Sequence, residues 1–335
     1  MKVVLVYRSK SRGRYSIETL FSAVAQALRP EVDVLEYSLV SKWGSWRDLV
    51  ALYRLKADVY HVTGDVQHVA WILPRAKTVV TVHDLNHYLR GLRGFRRWLF
   101  KKLWFDGPLP RVAAVTAISE ETKSNLRVHC PAISKEIRVI ENCLSPQYRP
   151  EPLNFNERLP RILFVGSAPH KNLRRLSAAL QGTPCKLVIV GLLADSTKED
   201  LRRLGLDFEN HVGLTDEALY RQYVDSDLVA FVSEREGFGL PIIEAQATGR
   251  PVVASNVSPM REVAGDGACL VNPFDVSEIR AGILRVIEDP NYRETVVAHG
   301  FQNVRRYSAG SIAAEYLGLY QEVASLSAQR RARCS

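Results

Sequence analysis

Residues 234–251 read EREGFGLPIIEAQATGRP, and the rest of the chain is best read outward from them. Glu236 and Glu244 stand eight positions apart, either side of Gly237, Phe238, Gly239, Leu240 and Pro241. Upstream, LVAFVS (228–233) is a short apolar run of the kind buried on both faces of a parallel sheet. Downstream, Pro241 suits the first helical position, where a missing N–H costs nothing, and Gly249 with Pro251 ends the helix. The stretch is therefore a strand–loop–helix junction. Gly237 and Gly239 let backbone amides approach a ligand closely, and a helix start attracts an anion. An anion at the amides, with hydroxyl-rich groups on the two carboxylates, describes a nucleotide-sugar. Glu244 also has a plainer reading, as a first-turn acid that complements the helix dipole.

The same alternation runs through the whole chain. KVVLVY (2–7), DVLEYS (33–38), DVYHVT (58–63), TVVTVHD (78–84), AAVTAIS (113–119) and IRVIEN (137–142) read as strands. SPQYRPEPLNFNERLP (145–160) interrupts the pattern and reads as a linker. Strands resume at 161–166, 185–191, 228–233, 251–255 and 268–272, with helices near 172–181, 197–204, 215–225 and 241–248. The expected fold class is α/β, with two Rossmann-like βαβ domains facing across a cleft. The expected domains are 1–145 and 161–307, joined by a linker at 146–160. Residues 308–335 form a crossover helix that packs back toward the N-terminal domain, and a tail.

Composition agrees with a two-domain protein. The chain has 335 residues, 46% hydrophobic and 24% charged. Its five scattered cysteines, without a CxxC pair, suggest a reducing compartment and no structural zinc. A first strand beginning at Lys2 leaves no room for a signal peptide, and no apolar run approaches the ~20 residues of a membrane span. A cytoplasmic location is expected, with the inner face of the cell membrane within reach. Residues 1–150 hold 24 Lys/Arg and 13 Asp/Glu, whereas 151–335 hold 21 and 23. The first half therefore faces something anionic.

EGFGLPIIEAQATGRPVVAS resembles the E-x7-E signature of the retaining glycosyltransferases of family four, which have the GT-B fold. The resemblance extends over nearly the full chain, through VTVHDL (80–85), TAISEETKSNL (116–126), RVIENCLSPQYRP (138–150) and FVGSAPHKNL (164–173). It implies that Glu236 binds hydroxyls of the transferred sugar, Glu244 the ribose diol and Lys171 the diphosphate. Gly166, Ser167, Gly237, Phe238, Gly239 and Leu240 line the same donor site. His83 is implied near the sugar and the reacting carbon, with Asp84, Arg12 and Arg14 toward the acceptor. Gly13 falls where backbone approaches the donor phosphate or the acceptor. The implied reaction moves a hexose or deoxyhexose from a nucleoside-diphosphate sugar to a saccharide or lipid-linked acceptor, with retention and without a metal or other cofactor. Two features depart from the family. Ser167 occupies a place that commonly holds Arg, and a single glycine, Gly13, stands where a pair is common. Arg235 either supplies the missing charge or is a solvated loop residue. A sugar-nucleotide epimerase or hydrolase, or a non-catalytic sugar-nucleotide binder, would share this scaffold.

Three other motifs need weighing. DSD (225–227) precedes a strand, where Asp punctuates connections, and is not taken as a metal site. HVTGDVQH (61–68) matches no zinc pattern; Asp65 and His68 are loop residues that could touch an acceptor. YLRGLRGFRRWLFKKLWF (88–105) alternates six Lys/Arg with large apolar residues at helical spacing. It reads as one amphipathic helix, either packed on the core with a solvated basic face or lying on an anionic membrane surface. Nucleic acid is not expected, because no binding module accompanies the charge.

Overall fold

The computed structural model describes residues 1–9, 16–41, 45–85, 87–152 and 154–332. The chain divides into two compact units, Met1–Cys143 with Ala309–Ser335, and Leu144–Ser308. Each unit contains one six-stranded parallel sheet.

In unit 1 the strands are β1 (Lys2–Tyr7), β2 (Asp33–Ser38), β3 (Val59–Val62), β4 (Thr78–Val82), β5 (Ala114–Ala117) and β6 (Ile137–Val139), in spatial order β2-β1-β3-β4-β5-β6. β3 and β4 are buried along their whole length, as strands covered on both faces must be. The C-terminal helix Ala309–Ala332 packs on helix Ser16–Leu28 of this unit. A buried polar chain fastens it there. His61 Nδ1 lies 2.6 Å from Tyr320 Oη and His61 Nε2 lies 2.7 Å from Thr81 Oγ1. Thr81 Oγ1 in turn meets Thr116 Oγ1 at 2.7 Å and Tyr316 Oη at 3.1 Å. Burial holds His61 neutral, with a pKa lowered to about 3. One ring nitrogen therefore donates and the other accepts.

In unit 2 the strands are β7 (Arg161–Val165), β8 (Lys186–Val190), β9 (Asp207–His211), β10 (Leu228–Phe231), β11 (Val252–Ser255) and β12 (Cys269–Val271). They lie in the order β12-β11-β10-β7-β8-β9. β9, sequence DFENH, has no apolar run to announce it. It is an edge strand with no fully buried residue, and it pairs with β8 along its whole length. The passage 145–160 is fastened to unit 2. The buried Arg250 guanidinium donates to the carbonyls of Glu151 at 2.8 Å and Pro152 at 3.3 Å. Asp227 accepts the amides of Asn156 and Arg161 at 2.8 and 2.7 Å. Its two oxygens thereby anchor this passage to the start of β7, which gives the DSD motif a structural purpose.

The strand orders locate the places where ligands bind such sheets. Connections leave in opposite directions from β7 and β10, which are neighbours in unit 2, and from β1 and β3 in unit 1. A crevice opens outside the carboxyl ends of the strands at such a switch point.

The segment expected as one helix over 88–105 is interrupted. It comprises a π-helical turn (His87–Gly91), an α-helix (Gly94–Lys101) and a second π-helical turn (Lys102–Asp106). Gly94, at φ +54°, marks the break.

Candidate functional site

At the switch point of unit 2, two loops that are 60 residues apart in sequence are joined by four links. Glu234 N donates to His170 O at 2.8 Å, and Asn172 Nδ2 donates to Val232 O at 2.9 Å. Lys171 Nζ pairs with Glu236 at 2.8 Å, and Arg175 Nη1 with Glu234 at 2.5 Å. Each link follows from β7 lying beside β10, since both loops leave the same end of the sheet.

Lys171 is held from three sides. Its ammonium lies 4.7 Å from the Phe231 ring centroid, in cation–π range. Its stem crosses Gly166, where φ is +110° and a Cβ would stand 2.8 Å from Lys171 Cε. Any other residue at 166 would displace the lysine. The loop is pinned by Asn172, a buried residue in left-handed conformation (φ +71°), whose amide also donates to Pro273 O at 2.7 Å. Ser167 lies against the backbone of Gly191. Arg235 stands 4.0 Å from Glu234, at the limit of ion pairing.

The helix after the turn is Leu240–Ala247, so Pro241 is its second residue rather than its first. That position also lacks an intrahelical acceptor, and the proline is tolerated there for the same reason. Pro241 offers no amide, which leaves Phe238, Gly239 and Leu240 as the donors at the helix start. Gly239, the N-cap, has φ +122°, a conformation closed to other residues at ordinary cost.

Glu244 is the fifth helical residue. It therefore lies beyond the first turn, and its reading as a dipole-complementing acid is corrected. Half-buried, it accepts a 2.5 Å hydrogen bond from Tyr223 Oη and another from Tyr148. The two tyrosine rings meet edge to face at 5.4 Å. Desolvation raises the Glu244 pKa to about 7, and the tyrosine hydrogen bonds and Lys171 oppose that rise. Sequence reading missed Tyr148, Tyr223 and the anchoring role of Asn172. The signal for Asn172 lay in the quoted Lys-Asn pair; the tyrosines left none, because a helix and the 145–160 passage bring them together.

In unit 1, His83 follows β4 and is 7% exposed. Its Nε2 lies 2.7 Å from Thr63 O, and a carbonyl only accepts, so Nε2 carries the proton. Burial lowers the His83 pKa, which favours the neutral ring with a lone pair on Nδ1. Thr122 Oγ1 donates to the His83 carbonyl at 3.1 Å. Ser119 caps the helix Glu120–His129 by accepting from Thr122 N, so the Ser-led helix positions the His-Asp loop. Asp84 is exposed beside it. At the β1–β3 switch point, Arg8 binds Glu18 in bidentate fashion, at 2.6 and 3.1 Å, and Asp65 at 3.2 Å. The His68 ring packs against Trp104 at a tilt, with centroids 4.5 Å apart. Arg12, Gly13 and Arg14 lie outside the described residues. Among the described residues no group of three His, Cys, Asp or Glu is arranged to hold a metal ion.

Comparison with known proteins follows the same division. The model for glycosyl transferases group 1 matches residues 148–302, and that for glycosyltransferase family 4 matches residues 2–148. The chain is 32% identical over 178 residues to O-antigen chain mannosyltransferase B of Escherichia coli, covering 48% of this chain and 45% of that protein. It is 26% identical over 289 residues to the E. coli serotype-specific mannosyltransferase WbdA, covering 78% of this chain and 34% of that protein. The alignments thus span between a third and a half of the length of these curated relatives. Among solved structures, sucrose-phosphate synthase from Thermosynechococcus elongatus superposes with TM-score 0.72 at 17% identity, over 96% of this chain and 98% of that one. Anabaena Alr3699/HepE in complex with UDP-glucose gives 0.70 at 18% identity, over 95% and 99%. At such identities the likeness speaks for the fold, which is GT-B.

Proposed function

The chain belongs to the family-four glycosyltransferases, and from that premise we propose that it moves a hexose or deoxyhexose from a nucleoside-diphosphate sugar to a saccharide or lipid-linked acceptor with retention. The observation that carries this reading is the Lys171–Glu236 pair at the β7–β10 switch point. A diphosphate entering there draws Lys171 away from Glu236. The ammonium and the amides of Phe238, Gly239 and Leu240 then meet the charge that grows on the leaving group. Freed of its partner, Glu236 accepts hydroxyls of the sugar. Glu244, oriented by Tyr148 and Tyr223, accepts the ribose diol in its ionised form. These groups supply positive charge from the protein itself, so we propose a metal-independent reaction. His83 presents Nδ1 as an acceptor toward a hydroxyl. Neither glutamate is assigned as nucleophile; attack comes from the face the diphosphate leaves. Both relatives are named as mannosyltransferases, and one of them for the O-antigen chain, which favours mannose as the sugar and surface polysaccharide as the product.

Thermal-shift screening of nucleoside diphosphates and their sugars identifies the donor, because a ligand of the folded state raises the midpoint. Transfer to an oligosaccharide acceptor is then compared in wild type, Lys171→Ala and Glu236→Ala. Undiminished transfer in both variants defeats the assignment of the site. Donor binding without turnover on any acceptor favours a non-catalytic binder instead.

A further inference from the structure

Unit 1 carries an outward face that its core does not account for. Not one residue of the helix Gly94–Lys101 is buried. Phe95 is 71% exposed and Trp98 54%, and their rings stack at 5.5 Å. Leu99 and Leu103 are also exposed, on the same side at helical spacing. The opposite side holds the segment to the unit. Phe100 stacks on Trp104 at 4.7 Å, and the buried Trp104 and Phe105 enter the core. The exposed Trp71 joins the outward face by donating to Leu103 O at 3.1 Å. Arg111 lies over its ring at 5.0 Å.

The charge on this face is one-sided. Residues 93–111 contain Arg93, Arg96, Arg97, Lys101, Lys102 and Arg111 against the single acid Asp106. Asp106 is shared by Lys101 and Lys102, whereas Arg93 and Arg96 form no ion pair among the described residues. Long cationic side chains interleaved with exposed aromatic rings suit a water–lipid boundary, where rings sink to headgroup depth and charges stay wet. No helix among the described residues is long and apolar enough to cross a membrane.

We propose that this face docks the protein on an anionic bilayer surface, with Phe95, Trp98, Leu99 and Leu103 in the headgroup layer and the arginines on lipid phosphates. The segment is tied to the β1–β3 switch point, since Trp104 Nε1 donates to Asp65 O at 3.4 Å and its ring packs against His68. Docking would therefore hold the loop after β3 at the membrane surface, where a lipid-linked acceptor lies. That last consequence rests on the proposed transfer reaction; the docking itself does not.

The test is flotation of the full chain with vesicles of phosphatidylcholine alone and of phosphatidylcholine mixed with phosphatidylglycerol. No activity enters the readout, so failure here is separable from failure of the transfer reading. The protein should float with the anionic vesicles only, and less so as salt rises. The double variant Arg93→Ser/Arg96→Ser should lose about 25-fold in binding, at roughly fivefold per basic residue. Phe95→Ser/Trp98→Ser should lose at least tenfold. All these side chains are surface residues, so the melting midpoints should match wild type. Tryptophan emission should shift to the blue on anionic vesicles, and the shift should be smaller in Trp98→Phe, where Trp71 alone reports from this face. Equal flotation of wild type and both double variants, or none with anionic vesicles, overturns the proposal. Self-association abolished by Phe95→Ser/Trp98→Ser, without vesicle binding by wild type, overturns it in favour of a second copy on this face.

Discussion

At the β7–β10 junction, residues 170–175 are joined to 232–236 partly by ion pairs, Lys171 with Glu236 and Arg175 with Glu234. At the β1–β3 junction, the group that the family resemblance points to is a buried neutral histidine, His83, locked to Thr63 O. The Phe21 ring lies between it and His61, which belongs to a separate buried chain of hydroxyls. The sheets obey the same rules, yet the two sites respond to a ligand in different ways. An ion pair can exchange one partner for a ligand's charge because the lysine is never left without a counter-charge. A buried neutral network cannot, because each broken link leaves a desolvated polar group. On the proposed reading the Lys171–Glu236 pair is what an anion rearranges, whereas the His83 contact with Thr63 keeps its shape.

Breaking the charged side should have the largest effect. Lys171→Ala should lower transfer by about 10²–10³-fold, the usual toll for removing one group that stabilises developing charge. Adding Glu236→Ala to it should cost much less than the product of the single losses, if the two act as a unit. Steady-state kinetics with saturating acceptor tests both. Next comes the pin beneath that pair. Asn172→Ala removes two buried hydrogen bonds and places alanine at φ +71°. It should destabilise unit 2 by about 3 kcal/mol, read from denaturant unfolding. Asn172→Gly should recover the conformational part only.

On the neutral side, His61→Leu strands the hydroxyls of Tyr320 and Thr81. It should cost about 2 kcal/mol and speed hydrogen exchange in Ala309–Ala332 more than in unit 2. The His61 pKa is depressed below the unfolded value, so its contribution is present above about pH 6.5 and is lost as pH falls. The sign is opposite at Glu244, whose pKa is raised to about 7. Its contribution to stability is lost as pH rises from about 4.5 to about 7, while the proposed donor binding needs the ionised form. Donor affinity should therefore fall up to tenfold per pH unit below about 7. Tyr223→Phe should move the midpoint upward, as calorimetric titration across pH will show. Arg235→Ala should have the smallest effect, less than twofold on transfer, because Arg235 is partly exposed and only marginally paired.

Much of this architecture was legible in the chain. Apolar runs marked eleven of the twelve strands among the described residues, and Glu236 and Glu244 were visible because strand, glycine turn and helix are contiguous in sequence. β9 escaped because an edge strand can be polar. The 88–105 segment was read with the right periodicity but as one helix. Gly94 breaks it, and what buries Trp104 and Phe105 while leaving Phe95 and Trp98 exposed is the packing of 102–106 against Gln67–Trp71 and Pro108–Arg111, which periodicity does not record.

The sequence by itself determined the fold class, the two parallel sheets and the residues at the carboxylate turn. Each of these follows from interactions between neighbours in the chain. Tertiary structure alone decided that Lys171 faces Glu236, that Tyr148 and Tyr223 tune Glu244, and which face of the basic segment points outward. Those pairings depend on strand order, and strand order is a property of the packed sheet rather than of any local stretch.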